Sequence, residues 1–164
     1  MKTLILAALT ATALPAATMA HNFQFSVTDG FVRSSNPKSA AAFMTIANGS
    51  EHDCTLTSIS TPVAATAELH TSKENAEGMM EMLPIKGGIT IPAYGTHALA
   101  RGGDHVMMMG VSTPLKQGDE VPMELDFGEC GKVKLVLPLD NERTGTVAGA
   151  APAAAAAPMD HTAH

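Results

Sequence analysis

The segment LARGGDHVMMMG, residues 99–110, places one histidine beside three consecutive methionines. Residues two apart in an extended strand point to the same side of a sheet, so His105, Met107 and Met109 share one face. Met108 faces the other way, and we expect it to lie in the core. The segment therefore predicts an imidazole next to thioethers on one surface of a strand.

Two further segments follow the same alternation. In ATAELHTS, His70 shares a face with Thr66 and Glu68, opposite an apolar face. In GMMEML, Met80 and Met82 share a face. Three separate segments thus each offer a nitrogen or sulfur ligand on a defined side of a strand.

Imidazole and thioether together suit a soft metal ion. Thioethers are neutral and have little affinity for Zn²⁺, Ca²⁺ or Mg²⁺, whereas with imidazole they favour Cu(I). Such a site avoids thiols, which oxidise outside the cytoplasm, and its neutral ligands let the metal leave again. The alternative is ordinary: methionine on a strand usually packs in a core, and histidine usually lies at a surface.

Short runs of alternating residues separated by Pro, Gly, Asn and Asp predict the elements that carry these side chains. We count nine such runs and expect an all-β sandwich or barrel. The runs are FQFSVTDGFVR, AAFMTIAN, CTLTSIS, ATAELHTS, GMMEML, HALAR, HVMMMGV, EVPMELDF and GKVKLVLPL.

The two ends of the chain differ in composition from the middle. Residues 1–20 have one lysine, a short apolar run and small residues before the exit, as in a secretory signal peptide. Residues 21–140 form the expected domain, and residues 141–164 form an Ala/Pro-rich tail ending in MDHTAH. We expect a periplasmic protein with no membrane insertion, and no lipoprotein anchor because no cysteine follows the signal.

The formal net charge of −6 argues against nucleic acid as a partner. An enzyme is not expected either, because no nucleophile and base can be paired. Asp104 and His105 are adjacent and so face opposite sides of a strand.

The chain resembles the periplasmic PCuAC-type copper chaperone family over roughly residues 23–138. The resemblance rests on ELH, GMMEM, IPAYGTHALARGGDHVMMMGV and LKQGDEVPMELDF, with VTDGFVRSSNPKSAAAFMTIAN upstream. The positions that match the family's metal-binding pattern are His70, Met82, His105 and Met107. Eleven residues separate the first pair and twenty-two separate Met82 from His105, so each gap is one residue longer than in the family.

We expect the extra residues in KENAEG and at Gly87-Gly88, where turns tolerate insertion. Met80 remains a rival for Met82, and Met109 is the fallback for Met107. Membership implies a cupredoxin-like Greek-key β-sandwich, a Cu(I) ion, and copper delivery to cytochrome c oxidase, often with a Sco-type thiol protein. We expect a monomer.

The other histidines are divided between surface and tail. We expect His52 to be solvated and His97 to be an ordinary surface residue. The tail end is either a disordered polar terminus or a second copper site built from Met159, His161 and His164. His21 at a new amino terminus is a further possible copper ligand.

The two cysteines, Cys54 and Cys130, are expected to form a disulfide in an oxidising compartment. In Greek-key sandwiches the third strand commonly pairs antiparallel with the penultimate one, which would bring the two thiols together. The alternative is a pair of unlinked thiols.

Two other functions are considered. A blue-copper electron carrier needs a cysteine ligand with histidines, and neither cysteine has a nearby His or Met that fits. A metal-free exported β-sandwich for adhesion or assembly would bind no copper, and the three ligand-bearing faces argue against it.

Overall fold

A computed structural model describes residues 24–143 and contains eleven β-strands and one 3-10 turn. The strands are β1 Phe25–Asn36, β2 Ser39–Asn48, β3 Cys54–Leu56, β4 Ser58–Ser60, β5 Ala64–Glu74, β6 Met80–Pro84, β7 Ile89–Ile91, β8 Thr96–Leu99, β9 Asp104–Val111, β10 Glu120–Asp126 and β11 Lys132–Pro138. The 3-10 turn is Gly128–Cys130.

The strands form one large sheet and two small ones, and every strand ladder is antiparallel. The large sheet has the order β1-β2-β9-β5-β6, with β8 also paired to β2. The small sheets are β11-β10-β4 and β3-β7. The prediction of an all-β sandwich is confirmed, because the core lies between these sheets and draws on all of them.

The alternation of side chains divides the large sheet into a core face and an outer face. Met44, Val106 and Met108 lie fully buried on the core face, as predicted for Met108. The outer face carries His70 and His105, which are cross-strand partners. The apolar residues thus hold the sheet in place while the ligand-type residues remain on its other side.

Two strand predictions differ from the structure. The run CTLTSIS is split at Thr57 into β3, which pairs with β7, and β4, which pairs with β10. The strand Ile89–Ile91 is missing from the predicted set because only three residues stand between Gly88 and Pro92, too few to show a period.

Cys54 and Cys130 form a disulfide, with Cα atoms 6.0 Å apart. The predicted link is confirmed, and so is part of its reasoning: β4 pairs antiparallel with the penultimate strand, β10. Cys54 itself lies in β3, and Cys130 lies in the 3-10 turn rather than at a strand end.

Contacts with the domain continue through Arg143, three residues beyond the boundary that composition suggests. The guanidinium of Arg143 lies 4.8 Å from the centre of the Phe31 ring, and Asn141 Oδ1 accepts a hydrogen bond from the Ser34 amide. The predicted signal peptide, His21 and the tail histidines lie outside the described residues. Within residues 24–143, no helix is long and apolar enough to cross a membrane.

Candidate metal site

The centre of the candidate site is the cross-strand pair of His70 on β5 and His105 on β9. Paired residues of antiparallel strands point to the same face, and these two rings have centroids 6.2 Å apart. A nitrogen bound at about 2.0 Å puts its ring centroid about 3.2 Å from the metal, so two rings sharing an ion have centroids at most about 6.4 Å apart. The observed spacing lies just within this limit, which is reached only when the two nitrogens are on opposite sides of the ion.

His105 is held in one orientation by its surroundings. Its side chain is nearly buried, at 4% exposure, and its Nδ1 lies 3.0 Å from the Gly103 carbonyl oxygen. A carbonyl can only accept, so Nδ1 carries a proton, and in the neutral ring the lone pair is on Nε2. A histidine that binds a metal through one ring nitrogen is commonly oriented by such a hydrogen bond from its other ring nitrogen.

His70 has a nitrogen whose partner is missing. Its Nε2 lies 3.3 Å from Glu68 Oε2, while its Nδ1 is buried and has no hydrogen-bond partner among the described residues. Leaving a buried polar atom unpaired costs about 1–3 kcal/mol. An unpaired ring nitrogen next to a second histidine is the signature expected of a ligand position.

The two predicted methionine ligands lie on either side of the histidine pair. Met107 is two residues beyond His105 on β9, and Met82 is on the neighbouring strand β6, opposite Ser72. His105, Met82 and Met107 line one pocket of about 290 Å³. His70 does not line this pocket. It lies next to the pocket, because it is the cross-strand partner of His105.

Strand register separates these methionines from their rivals. Met80 lies opposite Glu74, and Met109 lies opposite Thr66. Each is two residues farther from the histidine pair than Met82 or Met107, which is about 6.8 Å along a strand. The register favours Met82 and Met107 over Met80 and Met109. The assignment of these two methionines as ligands stays a prediction.

Nitrogen and oxygen ligands alone do not assemble a metal site in the described part of the chain. Between residues 24 and 143, no three His, Cys, Asp or Glu side chains are grouped so that they could hold an ion. Thioethers lie next to the His70–His105 pair, and imidazole together with thioether suits a soft monovalent ion.

Sequence patterns identified three of the nine residues that line the pocket and missed the rest of its wall. The wall also contains Arg33, Ala41, Phe43 and Arg101. β8 and β9 both pair with the same side of β2, and the turn between them falls opposite Phe43, which brings Arg101 to the pocket. Only this long-range pairing brings these residues together, so no local pattern could have found them.

His52 and His97 both lie at the surface, as predicted, but His97 has a charged partner that the sequence did not predict. His97 Nε2 lies 3.0 Å from Asp104 Oδ2, and the two side chains are about one-third and one-quarter exposed, at 30% and 26%. Since β8 and β9 follow one another along β2, the pair bridges the two strand ends. His52 is exposed and lies 3.5 Å from Glu51 Oε1.

A comparison with protein families matches residues 25–139 to the family described as "Putative lipoprotein LpqE-like". The chain belongs to this LpqE-like family. A curated relative, "Putative lipoprotein Lxx21020" of Leifsonia xyli subsp. xyli, is 30% identical over 115 residues, which cover 69% of this chain and 68% of the relative. The kinship extends across the whole described sandwich.

Solved structures connect this LpqE-like chain to PCuAC domains, as its motifs predicted. Apo-DR1885 from Deinococcus radiodurans is 31% identical, with a TM-score of 0.55, and the match covers 85% of this chain and 95% of that one. Its Cu(I) form is 32% identical with a TM-score of 0.53, over 71% of this chain and 79% of that one. The copper-bound PCuAC domain from PmoF2, at 18% identity and a TM-score of 0.57, shares the fold over 71% and 92% of the two chains.

Proposed function

We propose that this LpqE-like protein is an exported carrier of Cu(I) that binds one ion through His70, Met82, His105 and Met107. The observation that carries the proposal is the cross-strand pair His70–His105, with Met107 beside it and Met82 on the adjacent strand. The Cu(I) form of DR1885 is a related solved structure, which supports the same cargo here.

The different burial of His105 and Met82 also favours transport of copper over its storage. His105 is buried and held by the Gly103 carbonyl, whereas Met82 lies on the edge strand β6 with 59% of its surface exposed. A fixed imidazole confers affinity, and an exposed thioether can swing away to let an acceptor approach. Copper would then pass to the acceptor by ligand exchange.

The acceptor that we propose is a copper site of cytochrome c oxidase, reached directly or through a Sco-type thiol protein. This step rests on the family resemblance alone. Loss of oxidase activity in a deletion strain, restored by the wild type and not by Met107→Leu, is the expected result. Normal oxidase activity in the deletion strain under copper limitation would exclude this acceptor.

Export through segment 1–20 is proposed on its signal-peptide composition. The relative is named a lipoprotein, while both cysteines of this chain are joined in the disulfide. The intact mass of protein purified from the cell envelope tests both points. A mass starting at His21 supports simple export, and an added lipid mass would show anchoring.

The decisive measurement for the copper site is an anaerobic Cu(I) competition titration of the wild type and of Met107→Leu. Leucine keeps the volume and removes the sulfur, so we expect a large loss of affinity with an unchanged fold. Met79→Leu is the control, because Met79 is an exposed methionine that lies before β6, outside the pocket. Equal binding by Met107→Leu and wild type would make the assignment wrong, and no binding by the wild type would favour the metal-free module.

A second copper at Met159, His161 and His164 is a further proposal. Deleting residues 144–164 should remove one equivalent of copper and leave the stability of the apo domain unchanged. An unchanged stoichiometry would reduce the tail to a spacer.

A further inference from the structure

The pocket lined by three of the four candidate copper ligands is also lined by two arginines. Arg33 on β1 and Arg101 in the turn between β8 and β9 line it together with Met82, His105 and Met107. No acidic side chain lines this pocket. For a site that takes a cation in a chain of net charge −6, this concentration of positive charge is unexpected.

The position of Arg33 follows from the strand register. Arg33 is the cross-strand partner of Ala41, and Ala41 is the partner of Met107. The small side chain of Ala41 leaves open the space between the guanidinium and the thioether. Arg33 can therefore extend across the sheet toward the copper ligands.

Neither guanidinium is neutralised within the described residues. Arg33 Nη1 donates to the Arg143 carbonyl oxygen at 3.1 Å, which orients the side chain without adding a negative charge. The ion pairs of residues 24–143 include neither Arg33 nor Arg101. Both groups keep hydrogen-bond donors for an anion.

Charge and volume together point to a second ligand. The Glu68 carboxylate lies beside His70 but outside the pocket. Within the pocket, neutral imidazole and thioether add no negative charge, and two nearby guanidinium groups would repel Cu(I). The pocket volume of about 290 Å³ also exceeds the space of one ion, since a single water takes up about 30 Å³. An anion placed between the copper and the arginines would reduce this repulsion and occupy part of this space.

We propose that Arg33 and Arg101 form an anion subsite that holds a soft anionic donor, a halide or a thiolate, against the bound Cu(I). This inference rests on the proposed copper site. A soft anion is required because it must share a soft metal, and the guanidinium groups hold it by charge-assisted hydrogen bonds. A free chloride would strengthen copper binding, whereas a thiolate from an acceptor would be guided toward the ion during exchange.

The test compares the wild type with Arg33→Gln/Arg101→Gln in anaerobic competition against a chromophoric Cu(I) chelator. The control is Lys38→Gln/Lys73→Gln, which removes the same charge from exposed positions outside the pocket. Each protein is titrated in sodium chloride and in sodium fluoride at equal ionic strength, because fluoride is a hard anion that Cu(I) does not retain. Chloride also binds free Cu(I) in solution. This lowers the free Cu(I) concentration for protein and chelator equally, so it does not change the outcome of the competition.

We expect chloride to strengthen Cu(I) binding by the wild type and by the lysine control about tenfold, the size of one hydrogen bond to a charged group. The arginine variant should show no chloride response, and in fluoride it should bind Cu(I) at least as tightly as wild type. Arg101→Gln alone, at an exposed position, is the second variant if the double change impairs folding.

A second arm measures the rate at which a small thiol peptide removes Cu(I) from each protein. A chloride response without a change in this rate assigns the subsite to a free halide, and a rate loss confined to the arginine variant assigns it to a thiolate. If the arginine variant matches wild type in both arms, the subsite is overturned. Failure of the wild type to bind one Cu(I) in fluoride would instead refute the copper site itself.

Discussion

Sulfur occurs in two chemically different settings in this protein. On the outer face of the large sheet, Met82 and Met107 present thioethers beside two histidines. Elsewhere in the fold, Cys54 and Cys130 form a disulfide that links β3 to the 3-10 turn after β10. A disulfide cannot bind copper as a thiolate does, so the sulfur that holds the fold is kept apart from the sulfur proposed to carry the metal.

The contrast shows how an exported domain can bind a thiophilic ion without free thiols. Thioethers persist in oxidising surroundings where free thiols are lost, and they release Cu(I) more readily than thiolates because they are neutral. Stability and metal binding should then depend on different residues. The following predictions test that separation, from the largest expected effect to the smallest.

Replacing both cysteines by serine should reduce stability and leave copper binding intact. The disulfide joins residues 76 apart, and the chain-entropy model assigns such a link roughly 4 kcal/mol. Urea unfolding of the apo protein measures the loss, and Cu(I) titration of the folded variant should still give the wild-type affinity. A parallel loss of copper binding in folded protein would show that the two kinds of sulfur are not independent.

His105→Phe should show the reverse, with copper binding lost and the fold retained. Phenylalanine fills the nearly buried position beside the Phe43 ring, 6.2 Å away, but has no nitrogen. The affinity should fall by more than the roughly 10–100-fold caused by losing a group that only orients a ligand. His97→Gln is the control, because His97 bonds to Asp104 rather than facing the pocket. Wild-type affinity in His105→Phe would remove His105 from the site.

Met82→Leu should alter the release of copper more than its affinity. Met82 is exposed on the edge strand, so its loss should speed transfer to a chelator by roughly tenfold, about 1.4 kcal/mol. Stopped-flow transfer measures this rate, with Met80→Leu as the control on the same face. A larger effect of Met80→Leu would exchange the two assignments.

Asp126→Asn should produce the smallest change, confined to stability above pH 4. The Gly128 amide donates to this carboxylate at 2.8 Å and Lys132 Nζ lies 3.1 Å away, and together they hold the pKa of Asp126 below its usual 3.8. A depressed folded pKa stabilises the fold above the unfolded pKa, and this contribution is lost as the pH falls through the folded value. Melting curves of both proteins should therefore differ at pH 7, and the difference should shrink as the pH falls below 3.8. A difference that does not change with pH would rule out a charge effect, and copper binding at pH 7 should not change.

Much of the fold and part of the site were predictable from local sequence. The two-residue period determined that His105 and Met107 share a face and that Met108 is buried, because side chains alternate along any strand. It also placed Glu68 beside His70, where the structure shows a contact of 3.3 Å. The short strands β4 and β7 were less predictable, since three residues carry no clear period.

The tertiary structure alone decided which residues of different strands are neighbours. Antiparallel pairing in one particular register makes His70 and His105 direct partners, and a shift of one residue would have put them on opposite faces. The same register extends the row to Ala41 and Arg33, residues with no local sign of a role at the pocket. The partner of His97 was not predictable for the same reason, since Asp104 is brought near by the alignment of β8 and β9 along β2. Local sequence determines the side of a strand on which a residue lies, whereas its neighbours on that side depend on pairings that only the packed core selects.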